Sequence, residues 1–132
     1  LRRLIFCDKN MPIRVLLVDE SEELRTLLKF PLLYAGFDIL EAQDAMEAMG
    51  MLVHETVEVV VTDWEMPQMN GLDFVRKIRQ TPHIQTLPVI LLIKENQAHM
   101  RKDLKTIGVS DTLIRPDEIY KLVEKIKKVV HE

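Results

Sequence analysis

Val59-Val60-Val61-Thr62-Asp63-Trp64-Glu65-Met66-Pro67-Gln68-Met69-Asn70-Gly71 decides the fold of this chain. An apolar, β-branched run stops abruptly on a carboxylate; a Met-Pro turn and an Asn-Gly pair follow, and then a helical pattern. Strands of a parallel sheet are buried on both faces, so they read as continuous apolar runs. Such a strand delivers its last residue, here Asp63, to the carboxyl edge of the sheet, where open α/β folds hold their ligands. Val15-Leu16-Leu17-Val18 has the same character and also ends on acids, Asp19 and Glu20.

Outward from these two runs, strand-like and helix-like segments alternate. Strands are predicted over Arg14–Val18, Asp38–Glu41, Val57–Thr62, Val89–Ile93 and Thr112–Ile114. Helices are predicted over Glu22–Ala35, Ala45–His54, Leu72–Gln80, Gln97–Ile107 and Asp117–His131. Ser21 and Asp44 stand where N-caps belong, and Gly36 and Gly108 where helices end. The last helix repeats Ile119, Leu122, Val123, Ile126, Val129 and Val130 at helical spacing, so it packs on one face. Pro31, inside the first helical pattern, removes a backbone donor and is expected to kink that helix. The alternation implies an α/β domain with a parallel five-stranded sheet covered on both sides.

The chain has 132 residues, enough for one domain with a substantial core. It is 47% hydrophobic and 30% charged, as in an ordinary globular protein. A net charge of −3 gives no sign of a nucleic-acid or membrane surface. No apolar run approaches the roughly 20 residues that span a bilayer. One cysteine, Cys7, forms no internal disulfide and suits a reducing compartment, so a cytoplasmic location is expected. Residues 1–10 read as an N-terminal extension or a cloning remnant; Leu4-Ile5-Phe6 is too short for the apolar part of a signal peptide. The domain itself is expected over 11–132.

If the first and third strands are neighbours, Asp19, Glu20 and Asp63 converge. Clustered carboxylates raise one another's pKa, so such a site requires a cation. Mg2+ fits, because it is held by one or two carboxylates, keeps several waters and accepts phosphate oxygens. A carboxylate beside it can act as a nucleophile toward a phosphoryl group, a transfer that needs mainly positioning and charge neutralisation. The plainer alternative, that these acids cap helices and face water, suits Glu20 alone better than Asp19 and Asp63 together.

These segments, with Pro88-Val89-Ile90, Gly108 and Arg115-Pro116, resemble the receiver domains of two-component response regulators. The resemblance runs from about Ile13 to Val130, and the Asp63 segment is similar to that of the stand-alone, CheY-like chemotaxis regulators. It implies a flavodoxin-like fold with strand order 2-1-3-4-5. It implies that Asp63 is the phosphoacceptor for a kinase phosphohistidine, and that Asp19 and Glu20 are the acidic pair. The backbone carbonyl of Glu65 would complete the protein's share of the Mg2+ shell. Expected partners are a sensor histidine kinase or phosphotransfer protein and a downstream output protein or domain; a homodimer through the fourth and fifth helices is also allowed. On this reading the domain is a phosphoacceptor and not a free-standing enzyme.

The departures from the family pattern all lie in its switch. Ile93 stands where the fourth strand should end in Ser or Thr, and Lys94 replaces the small residue after it. Arg115 replaces the family Lys, exchanging a compact ammonium for a planar fork. Thr112 matches the aromatic rotamer switch. Losing one charge-assisted donor forfeits about 1.5–3 kcal/mol, so helix Gln97–Ile107 and strand Thr112–Ile114 are expected to switch weakly or by another route. Lys94 reads as a solvated loop lysine; its alternative is a cation on the phosphoryl group in place of the missing hydroxyl.

Two other functions compete. One is a pseudo-receiver acting as an interaction module without phosphorylation, which Ile93 and Thr112 favour. The other is a small flavodoxin-like cofactor binder, which lacks a Gly- or Ser-rich phosphate loop after the first strand. His54, His83, His99 and His131 lack ligand spacing and read as surface residues. Met46, Met49 and Met51 read as packing residues. Trp64 reads as a half-exposed neighbour of the site, and Arg101, Lys102 and Lys105 as a solvated basic face, with docking of an acidic partner surface as the alternative.

Overall fold

The structure, a computed structural model, describes residues 12–131. The extension over 1–10, with Cys7, lies outside the described residues. β1 (Arg14–Val18), β2 (Asp38–Ala42), β3 (Val59–Thr62), β4 (Val89–Ile93) and β5 (Asp111–Ile114) pair in parallel as one sheet, ordered β2-β1-β3-β4-β5. Between and after them run α1 (Glu22–Tyr34), α2 (Ala45–His54), α3 (Gly71–Arg79), α4 (Arg101–Ile107) and α5 (Leu122–Val130). This is the flavodoxin-like order that the resemblance implies, and the parallel sheet is the one the alternation implies.

Side chains alternate across a strand, so each apolar run supplies two cores. Leu16, Val18, Val60, Leu91 and Ile93 face one layer with Ala48, Leu52, Phe74, Ile78 and Leu104, from α2, α3 and α4. Val15, Leu17, Val61, Leu92 and Leu113 face the other, with Leu28 and Leu32 of α1 and Leu122, Ile126 and Val129 of α5. The central strands are buried on both sides, while the edge strand β2 is only partly covered.

Three boundaries differ from expectation by more than one residue. β3 begins at Val59 and not at Val57, because the buried Glu58 uses Oε1 to accept the Arg14 N–H (2.8 Å), a donor at the start of β1. The fourth helix opens as a 3-10 turn, Glu95–Met100, in which Gln97 N–H bonds Lys94 O (2.9 Å) and Gln97 Oε1 accepts the Lys94 N–H (2.8 Å). Only Arg101–Ile107 is α-helical there. The fifth opens in the same way, with a 3-10 turn at Ile119–Lys121. α1 continues past Pro31 to Tyr34, and Ala35 N–H bonds the Pro31 carbonyl (3.1 Å).

At the amino end of the sheet, Arg79 ties three segments together. Its guanidinium donates to Gly108 O (3.0 and 2.7 Å), Leu87 O (2.6 Å) and Gln85 O (3.2 Å). The opposite end carries the acids.

Candidate functional site at the carboxyl edge

The register of the sheet brings the two key acids together. Val18 pairs with Thr62, so the next residues, Asp19 and Asp63, leave adjoining strands side by side. Asp63 N–H still bonds Val18 O (2.9 Å), and Asp19 N–H bonds Ala42 O (3.1 Å), which extends the ladder by one residue on each strand. Both residues are buried, at 3% exposure for Asp19 and 6% for Asp63. Glu20 is exposed at the rim of the cleft that Asp19, Asp63, Glu65, Met66 and Arg115 line.

Each buried carboxylate has a limited set of partners. Asp19 Oδ1 accepts the Ser21 N–H (2.8 Å), and its Oδ2 is buried without a hydrogen-bond partner. Asp63 Oδ1 accepts the Trp64 N–H (2.9 Å) and lies 3.2 Å from Arg115 Nη2. Burial is the main cause that raises the pKa of Asp63, and the negative charge of Asp19 adds to it; Arg115 and the Trp64 amide only partly offset this. Asp19 is raised as well, by burial first, against the lowering effect of the Ser21 amide, Arg115 and Arg25.

Two buried acids that repel each other, one with an oxygen lacking any donor, form a site that a divalent cation satisfies. Among the described residues no three His, Cys, Asp or Glu side chains form a ready-made chelate. Mg2+ does not need one, since it keeps several waters and takes one or two carboxylates. The donor set therefore fits that ion.

The loop after Asp63 is shaped by close contact. Gly71 N–H bonds Trp64 O (2.6 Å), and a Cβ on Gly71 would strike the Asp63 carbonyl oxygen and stand 2.9 Å from Leu91 Cδ1. Glycine at 71 thus permits α3 to start against the peptide of Asp63 itself. Asn70 Oδ1 caps α3 through the Asp73 N–H (2.8 Å). The left-handed residue of the loop is Gln68, at φ 69°.

The switch positions are located as follows. Ile93 is buried at 1% exposure within the apolar core, and offers no donor. Lys94 is exposed, with Nζ 3.2 Å from Glu65 Oε1. Thr112 is 2% exposed, and its Oγ1 accepts from Arg101 Nε (2.9 Å). Arg101 is therefore not the freely solvated residue that the basic stretch suggests; its Nη2 also bonds Glu118 Oε1 (2.8 Å).

Sequence reasoning missed a second residue that shapes the site. Arg25 on α1 donates through Nη1 to the Asp19 backbone oxygen, and through Nε to Glu41 Oε1 (3.0 Å). Lys29 holds the other Glu41 oxygen at 2.8 Å, and these two cations, Lys29 foremost, keep the Glu41 pKa below the usual carboxylate value. The only hint in the sequence is an Arg and a Lys four apart on one face of α1.

Residues 15–127 match the family model described as the response regulator receiver domain. The chain belongs to that family. This receiver domain is 36% identical over 121 residues to the chemotaxis protein CheY homolog of Campylobacter jejuni, covering 89% of the chain and 92% of that protein. It is 35% identical over 121 residues to the chemotaxis protein CheY1 of Helicobacter pylori, covering 89% and 97%. Among solved structures, the chemotaxis response regulator CheY4 of Vibrio cholerae matches with a TM-score of 0.81 at 26% identity, covering 90% of the receiver domain and 99% of that chain. No helix among the described residues is long and apolar enough to cross a membrane.

Proposed function

We propose that this receiver domain accepts a phosphoryl group on Asp63, from the phosphohistidine of a sensor histidine kinase or a phosphotransfer protein, and signals by conformational change to a downstream output protein or domain. One observation carries this reading: Asp63 and Asp19 are buried side by side at adjoining strand ends, with an Asp19 oxygen lacking any hydrogen-bond partner. An Asp63 oxygen attacks phosphorus, the P–N bond to the imidazole breaks, and the histidine leaves. The Trp64 N–H, 2.9 Å from Oδ1, orients the Asp63 carboxylate. Arg115, 3.2 Å from that oxygen, is placed to offset charge on the incoming phosphoryl oxygens. Mg2+, held by Asp19, Glu20, Asp63 and the Glu65 carbonyl, would supply the remaining charge neutralisation. The domain is thus a phosphoacceptor, acting in the cytoplasm without contacts of its own to nucleic acid or membrane; pairing through α4 and α5 is compatible with it.

Ile93 favours a second reading, a pseudo-receiver that binds partners without phosphorylation, because a buried isoleucine gives a phosphoryl oxygen no hydrogen bond. One experiment separates the two. The protein is incubated with Mg2+ and acetyl phosphate while intact mass and Trp64 fluorescence are followed. A gain of one phosphoryl group and a Mg2+-dependent fluorescence change, both absent in Asp63→Ala, support phosphoacceptance. A silent Trp64 and an unchanged mass favour the pseudo-receiver.

A further inference from the structure

With Ile93 and Thr112 at the switch positions, no hydroxyl at 93 and no aromatic at 112 can relay the state of Asp63 outward. A different series of contacts covers the same ground. Arg115, 3.2 Å from Asp63, opens a loop that closes at Glu118. The loop is closed twice: Glu118 N–H bonds Ile114 O (2.7 Å), and Ile114 N–H bonds Glu118 Oε1 (2.9 Å). The same Oε1 accepts Arg101 Nη2 (2.8 Å), and Lys121 Nζ stands 3.3 Å from Oε2. Arg101 then reaches β5 through its Nε bond to Thr112 Oγ1 (2.9 Å).

Arg101 is the first residue of α4; the far end of that helix is held by Arg79 at its C-cap Gly108, and the Arg101 end has few buried apolar ties. Leu104 is its one fully buried side chain, and the preceding 3-10 turn buries none. An element with so few buried apolar contacts takes more of its position from polar ties, and belongs to the less stable part of a fold. Arg101 supplies two such ties at once, with separate nitrogens of a rigid fork.

We propose that Glu118 is a positioning residue for the Arg115 loop, and that Arg101 passes the position of that loop to α4. The inference rests on Asp63 being the phosphoacceptor. A phosphoryl group on Asp63 attracts the Arg115 guanidinium to new oxygens, the loop from 115 to 118 follows, and Glu118 Oε1 shifts against Arg101. α4 then re-settles on β5. The coupling needs neither a hydroxyl at 93 nor an aromatic at 112.

Amide hydrogen exchange of the whole protein tests this, with Mg2+ alone and with Mg2+ plus beryllofluoride as phosphoryl mimic. Trp64 fluorescence reports filling of the cleft in the same samples. In the parent, filling is expected to change exchange over 101–107 by about five-fold or more. In Arg101→Gln and in Glu118→Gln the change is expected to fall below about two-fold, and no further in the double variant, while Trp64 still responds. Gln at 118 retains an acceptor for the Ile114 N–H, so the loop can still close. Should a charged-site variant fail to fold, Thr112→Val removes one anchor of Arg101 at similar volume and is expected to halve the response or more. A full α4 response in these variants overturns the inference alone, as does a parent in which Trp64 responds and α4 stays still. A uniform loss of protection across the sheet, with the α4 difference intact, marks a purely structural role and overturns it too. A parent in which Trp64 is silent and nothing moves overturns it together with the phosphoacceptor reading.

Discussion

Asp63→Asn should make the metal-free protein more stable at neutral pH. The substitution preserves the shape of the side chain and an acceptor for the Trp64 N–H, and removes one of two negative charges buried at adjoining strand ends. Burial and the Asp19 charge both raise the Asp63 pKa, so ionised Asp63 costs folding energy that Asn does not. Against the gain stands the lost pairing with Arg115 at 3.2 Å. The effective penalty for burying one ion in a protein is several kcal/mol; with the loss of the Arg115 contact deducted, a gain of about 2 kcal/mol is expected. That corresponds to a Tm rise of roughly 6–10 °C for a domain of this size. The pH dependence has a definite sign. A carboxyl with a raised folded pKa carries its full penalty above that pKa; the penalty fades as pH falls and is gone below the ordinary value of 3.8. The advantage of Asn should therefore be full in the neutral range and shrink toward zero near pH 3.8. Mg2+ should narrow it from the other direction, because the parent gains binding energy that the variant loses in part. Urea denaturation in EDTA and in Mg2+, at several pH values, measures all three trends. An Asn variant no more stable than the parent at pH 7 in EDTA, or equally advantaged at pH 3.5, would refute the reasoning.

Other substitutions test separate parts of the structure. Gly71→Ala forces a Cβ against the Asp63 carbonyl, and should cost about 1–3 kcal/mol by urea denaturation and weaken the Trp64 response to Mg2+. Arg79→Ala leaves the Leu87 and Gly108 carbonyls without their cation, and should cost roughly 2–4 kcal/mol while the Mg2+ response persists. Lys94→Ala removes only an exposed pair with Glu65, so stability should change by less than about 0.5 kcal/mol and the phosphorylation rate by less than about two-fold. Burial acts to raise the pKa of Glu118, but the Ile114 amide, Lys121 and Arg101 outweigh it and hold it below the usual 4.5. The stability lost in Glu118→Gln should therefore be fully evident above pH 4.5, and disappear as pH falls through the depressed value.

The parts of this domain that could be read directly were those fixed by chain direction. Two apolar runs ending on Asp19 and Asp63 point to one sheet edge, because a buried parallel strand has no other place for a terminal carboxylate. β4 and α2 have the bounds expected of them, Val89–Ile93 and Ala45–His54, since Pro88 and Asp44 mark their starts chemically. Contacts chosen by tertiary placement were not legible. Arg79 binds carbonyls 6, 8 and 29 residues away, and Arg101 binds side chains 11 and 17 away. Nothing in local spacing distinguishes such an arginine from a solvated one. Helical periodicity likewise does not register the 3-10 turns that open the fourth and fifth helical segments, because both geometries repeat their contacts every three to four residues.

The guanidinium of Arg79 gives the β4–β5 side of the sheet a tied amino end. By joining the turns before β4 and β5 to the last turn of α3, it makes that margin resist shear as a unit. Strands rooted there behave like tines set in a common base. At the other end of β4 stands the loop bearing Lys94, and beyond β5 the loop bearing Arg115, neither of them reached by that tie.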